Sequence, residues 1–242
     1  MNDFQLGLYS LGITLIGFLI SIISLLGIIF FNLFSKYSFK PQSKSILNKF
    51  LKITAIISLP IFLGGILLSS KIIQLVFESE YVLASTSFSI LLLFFLLISF
   101  SIIFTNFLMA HNKEKLVLKI RGISTGVNIL LNFLFIPLFG IVGAAITTVI
   151  SETINLVYLY FETKKMVSFK YKSDLIKILF STIVMGLVVY LFNNFIIIRL
   201  FYNSLDVLII LIISGFIYFI CLLFTKSLTV TEIKEILISF KK

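Results

Sequence analysis

Among 242 residues there is one cysteine, one histidine and no tryptophan. A single Cys221 excludes an intrachain disulfide framework and any cysteine-based metal cluster. His111 alone leaves little material for a metal site, and no cofactor is expected. Without tryptophan, any aromatic belt at a membrane interface must be built from the 28 Phe and 9 Tyr. Charge is scarce too. Only 12% of residues are Asp, Glu, Lys or Arg, against about 25% in soluble domains. What is there is apolar: 60% of the chain is hydrophobic and the mean hydropathy is +1.17. This excludes an ordinary soluble domain and indicates an all-α integral membrane protein, because open sheet edges cannot exist in lipid.

Seven runs are long enough to span a bilayer, at about 8–34, 53–70, 86–110, 117–138, 140–161, 178–198 and 206–225. The first exceeds the bilayer thickness and is expected to tilt or extend past the interface. Its Gly7, Gly12 and Gly17, with Ser21 and Ser24, suggest a close packing face. Pro60 and Gly64-Gly65 predict a kink in the second.

The formal net charge of +10 raises nucleic acid as a partner, but the distribution argues against it. Segments 35–52, 111–121, 162–177 and 226–242 hold 5, 4, 5 and 4 Lys/Arg, 18 of the chain's 20. The alternate segments hold only Lys71 and Arg199, against Asp3, Glu78, Glu80 and Asp206. By the positive-inside rule the four basic segments are cytoplasmic, the N-terminus is outside and the C-terminus is cytoplasmic. An outside start with no leading signal is awkward for insertion. It predicts that an earlier helix precedes the chain; insertion by the long first helix itself is the other route. The final TVTEIKEILISFKK reads as a short amphipathic helix on the cytoplasmic membrane surface.

The most informative stretch is Asn128–Asn155, two apolar helix-length runs joined at Pro137-Leu138-Phe139-Gly140. At ~1.5 Å per residue, Asn128 and Glu152 both lie roughly 16–18 Å below that turn, near the midplane of a ~30 Å core. An ionisable group at that depth costs at least ~2.5 kcal/mol and marks a pathway or a polar contact. Arg121, Thr125, Asn128 and Asn132 are spaced 4, 3 and 4 apart, on one helical face. Thr148, Glu152 and Asn155 do the same on the next helix. The turn makes these helices antiparallel neighbours, so the two stripes can face a common cavity or each other.

Two readings follow. In one, the seven residues form the polar wall of a transport pathway, with Glu152 carrying a proton or binding a cation. Alternatively, the Asn and Thr side chains bond between helices, worth roughly 0.6 kcal/mol per contact. Arg121, with Lys113, Lys115 and Lys119 nearby, suits phosphate, although basic helix ends also follow from topology and attract anionic lipid. Gly140, Gly143, Ala144 and Ala145 read as a close helix contact. His111 reads as an interfacial residue, and Lys71, Glu78 and Glu80 as a solvated outer loop.

Several stretches line up with one family in order. They are GLYSLGITL, then SSKIIQLVFESEYVLAS, FLMAHNKEK and VNILLNFLFIPLFGIVGAAITTVISE, with NxxLNxxxIPxxGxxGAA the most specific. The chain resembles the C-terminal half of the polysaccharide or lipid-linked oligosaccharide flippases, in the exporter superfamily that also holds the multidrug antiporters. The resemblance covers roughly residues 4–165 and implies two six-helix lobes around a central cavity. It makes 1–165 five helices of a C-terminal lobe, and 166–242 two additional membrane helices with a cytoplasmic tail. It further implies movement of a lipid-linked sugar across the bacterial cytoplasmic membrane by alternating access. The partners would be that substrate, membrane lipids, and a missing N-terminal lobe or another chain. A membrane glycan polymerase or ligase is the enzymatic alternative, and it would need acid, base or Arg groups on the outer side. A non-transporting membrane subunit or remnant is the third.

Overall fold

Backbone N–H and C=O groups that enter lipid have no water to bond, so each apolar segment must satisfy its own. The computed structural model accordingly describes residues 3–38, 40–77, 79–167, 172–196 and 205–228 as helices and short turns, with no strand among them. The helices are α1 (Asp3–Lys36), α2 (Gln42–Leu67), α3 (Ser69–Phe77), α4 (Ala84–Ala110), α5 (Glu114–Met166), α6 (Lys172–Leu191) and α7 (Leu205–Phe224). Six are long and apolar enough to cross a membrane. The 53-residue α5 supplies two crossings, because its path breaks at Gly140, where φ is 55° and ψ −131°. Its arms, residues 114–139 and 141–166, are called α5a and α5b. Each is about 39 Å long at ~1.5 Å per residue, enough for a ~30 Å core. Seven membrane-length segments result.

Several boundaries differ from the expectation. α2 begins at Gln42, inside the basic segment, because Pro41 can open a helix and Ser43, Leu47, Phe50 and Leu51 have a core to bury into. Pro137 does not end its helix; the chain turns three residues later. The loop after α2 is largely ordered as α3 and a 3-10 turn at Ser79–Leu83, with Lys71 partly covered and Glu80 exposed. Glu78, Arg199 and the TVTEIKEILISFKK tail lie outside the described residues.

Contacts divide the chain into two units, Met1–Lys170 and Tyr171–Lys242. In the first, α4 is the central helix and packs on α1, α2 and α5. It is apolar around its whole circumference, as a helix enclosed by others must be. Its buried Phe88, Leu91, Leu92 and Phe95 share one core with Leu8, Ile16 and Ile23 of α1 and Ala145 of α5b. At the basic end, Phe34 stands edge-on to Phe107 at 5.3 Å, and His111 lies over Phe107 at 4.2 Å. His111 is buried at this helix end, and its Nδ1 donates to the Phe107 carbonyl at 2.8 Å.

The packing face of α1 is narrower than expected. Gly12 touches α4, whereas a Cβ at Gly7 or Gly17 would meet nothing within 4 Å. The closest approach falls instead at Gly27, whose carbonyl accepts from Asn106 Nδ2 of α4 at 3.0 Å. In the second unit, α6 and α7 pack as a hairpin. Buried Thr182 of α6 is hydrogen-bonded to Tyr218 of α7.

Candidate functional site

The two arms of α5 are held together by side chains of one kind, small and polar. On α5a, Ser124, Asn128 and Asn132 follow one another at four-residue steps; on α5b, Thr147 and Ser151 do so. Ser124 Oγ donates to the Ser151 carbonyl at 2.8 Å. Asn128 Nδ2 donates to Ser151 Oγ at 3.2 Å, and Thr147 Oγ1 donates to Asn132 Oδ1. Within α5a, Asn132 Nδ2 donates to Asn128 Oδ1 at 3.1 Å. The bonds therefore run in one direction, from Thr147 through Asn132 and Asn128 to Ser151, whose hydroxyl ends on the Thr148 carbonyl at 3.0 Å. In lipid each such contact contributes about 0.6 kcal/mol on average.

The tight turn makes this seam possible. Gly140 adopts a positive φ that costs an L-residue roughly 1–2 kcal/mol. Gly143 sits so close to Phe135 that a Cβ would run into its backbone carbonyl. With Ala144 and Ala145 also buried, the arms meet almost backbone to backbone just below the turn. That contact is the one read from the sequence.

The structure divides the seven candidate residues into groups. Asn128 and Asn132 lie in the seam. Thr125 and Arg121 are exposed. A ridge of four-residue steps drifts about 40° around the helix at each step. Toward the basic end the contact line has therefore moved to Ser124, Ile120 and Val117, all buried. A stripe drawn straight down the helix misses this crossing.

On α5b the buried ridge is Thr147, Ser151, Asn155, Leu159 and Thr163. Thr148 and Glu152 stand one residue round from it, about 100° away. Thr148 Oγ1 donates to the Ala144 carbonyl at 2.8 Å, which leaves its oxygen to accept from the Tyr9 hydroxyl at 3.5 Å. Glu152 is half-buried, and its Oε1 accepts from Asn155 Nδ2 at 3.0 Å. Asn155 is itself buried, and its Oδ1 has no hydrogen-bond partner.

Sequence reasoning missed Ser124, Thr147, Ser151 and Tyr9. The signal for the first three was the matched four-residue spacing on both arms. Among the described residues, no three His, Cys, Asp or Glu side chains gather where a metal could be held. The seam offers neutral amide and hydroxyl groups, and Glu152 supplies the carboxylate beside it. Next to it on the open side, a cavity of about 360 Å³ is lined by Ile129, Asn132, Phe133, Ile136 and Pro137.

The model of the lipid II flippase MurJ family matches residues 7–237. The chain belongs to that family. Among solved structures it is similar to one titled lipid II flippase MurJ, inward closed conformation, with a TM-score of 0.68 and 26% identity. That likeness covers 92% of this chain and 45% of the other. It is also 32% identical over 131 residues to the probable low-salt glycan biosynthesis flippase Agl15 of Haloferax volcanii, covering 54% of this chain and 28% of that protein. The chain thus spans less than half the length of either relative. Family membership and six apolar helices make it a multi-pass membrane protein.

Proposed function

We propose that this chain forms one lobe, with two additional helices, of a flippase that moves a lipid-linked oligosaccharide precursor across a bacterial cytoplasmic membrane. Residues 1–165 serve as five helices of the C-terminal lobe and 166–242 as the extra pair and tail. The observation that carries this reading is the family match from residue 7 to 237, which runs through both units. The basic segments face the cytoplasm, placing the Gly140 turn outside. Translocation is alternating access, in which two lobes rock about a midplane site without covalent chemistry. One lobe cannot enclose such a site, so the working transporter needs a second, from a longer protein, another chain or a second copy.

The seam gives the α5 hairpin the rigidity to rock as a body. Glu152, held by Asn155, is the ionisable group of the pathway and takes up a proton or cation during the cycle. Asn128, Asn132 and Thr148 supply neutral polar groups near it. Exposed Arg121 and Thr125 offer the phosphate end of the substrate its contacts near the cytoplasmic side.

The test is flipping of a fluorescent lipid-linked sugar in vesicles, comparing this chain with the same chain joined to the remaining helices of a related flippase. Flipping by the joined protein is expected. Flipping by neither overturns the reading.

A further inference from the structure

The α6–α7 hairpin holds a buried carboxylate that the flippase reading does not use. Asp206 lies in the first turn of α7 and is only 7% exposed, and its Oδ1 has no hydrogen-bond partner. The N-terminal end of a helix favours a negative charge, so the start of α7 suits a carboxylate. A buried carboxylate oxygen left without a partner is nevertheless costly unless something positive meets it.

A second orphan oxygen lies at the same end. α6 finishes in a π-helical turn at Phe192–Ile196, a distortion of the kind often found at functional sites. Asn193 and Asn194 sit in this turn, and Asn193 Nδ2 donates to Asn194 Oδ1 at 3.3 Å. That bond fixes which way the Asn193 amide faces and leaves its buried Oδ1 without a partner.

The register of the hairpin places the two orphans at one level. Thr182 is bonded to Tyr218 across the antiparallel pair. The same number of positions separates Thr182 from Asn194 as separates Asp206 from Tyr218, about 18 Å along each helix at ~1.5 Å per residue. Asn193 and Asn194 therefore stand level with Asp206, at the end of the hairpin away from Lys226.

We propose that Asp206 and Asn193 bind a hard monovalent cation, sodium or potassium, at this end of the hairpin. Two acceptor oxygens cannot satisfy each other, and a third group with charge but no lone pair satisfies both. Carboxylate and amide oxygens are hard ligands, suited to alkali and alkaline-earth ions rather than to soft metals. A single carboxylate is neutralised by one positive charge, which selects the monovalent ion in so apolar a setting. The ion would pin the start of α7 to the end of α6.

The test is thermal unfolding of the full chain in detergent, in sodium or potassium chloride against N-methylglucamine chloride at equal ionic strength. Sodium or potassium should raise the melting temperature by roughly 3 °C or more. Asp206→Asn and Asn193→Ala should abolish the increment, while Lys226→Gln at the far end should keep it. Asn193→Asp, which adds a second carboxylate, should shift the preference to calcium. If Asp206→Asn fails to fold, the Asn193 pair of variants decides alone. No alkali-specific increment in the unaltered chain overturns the proposal. So does an increment from calcium or magnesium only, or stabilisation by acid in place of salt, which would mean a protonated Asp206.

Discussion

Asn132 accepts, through its amide oxygen, the hydroxyl hydrogen bond of Thr147, fifteen positions further along the chain. This bond lies closest to the Gly140 turn in the seam joining the arms of α5. The same amide donates to Asn128 from its nitrogen, so Asn132 links the turn to the deeper part of the hairpin.

Removing either partner should loosen the hairpin. Asn132→Ala and Thr147→Val should each destabilise the protein by about 1 kcal/mol, with a coupling of roughly 0.6 kcal/mol in a double-mutant cycle. Reversible unfolding in mixed micelles measures both. Strictly additive effects would mean that the bond contributes nothing across the arms.

Two glycines of α5 should respond oppositely to alanine. At Gly143 a Cβ would meet the Phe135 carbonyl, whereas at Gly126 it would meet nothing within 4 Å. Gly143→Ala should destabilise by about 1–3 kcal/mol. Gly126→Ala should be neutral or stabilise by up to ~1 kcal/mol through helix propensity. Melting temperatures of the two variants side by side give the answer, and equal values would contradict the close contact.

Gly27 and Asn106 form a similar test between α1 and α4. A Cβ at Gly27 would stand 2.8 Å from Asn106 Nδ2, the atom that donates to the Gly27 carbonyl. Gly27→Ala should cost about 1–3 kcal/mol by displacing that amide. Adding Asn106→Ala should recover part of the loss, because the displaced group is then gone. A double variant less stable than the sum of its parents predicts would rule this out.

Glu152→Gln keeps an oxygen that can accept from Asn155 Nδ2 while removing the charge. Folding should survive, within about 0.5 kcal/mol, and flipping by the assembled two-lobe protein should fall at least tenfold. Circular dichroism melts and the vesicle assay separate the two effects. Normal flipping with Glu152→Gln would remove Glu152 from the pathway.

Much of the fold was legible because lipid enforces it. Apolar length and lysine placement marked seven segments, and the break near Gly140 showed that two of them form a hairpin. The start of α2 was hidden because Lys44, Lys49 and Lys52 share their helix with buried Leu47 and Leu51, and charge density masks that amphipathic pattern. The site was legible in kind but not in phase. Asn128 and Asn132 belong to the seam, whereas Thr148 and Glu152 lie one residue round from it, since helices cross instead of running straight. The Gly27–Asn106 contact had no local signal at all, because it joins residues 79 positions apart.

The even spacing of the seam has a cost in uniqueness. Sliding α5a by four residues, about 6 Å, would bring Asn132 to Ser151 and Asn128 to Asn155, while Ser124 would face Leu159 and Thr147 would face Ile136. Side-chain chemistry alone therefore leaves a second register partly satisfied. What separates the two is the short path through Gly140, which has no spare residue to let one arm slip. The number of residues between Asn132 and Thr147 thus specifies the pairing as much as their side chains do.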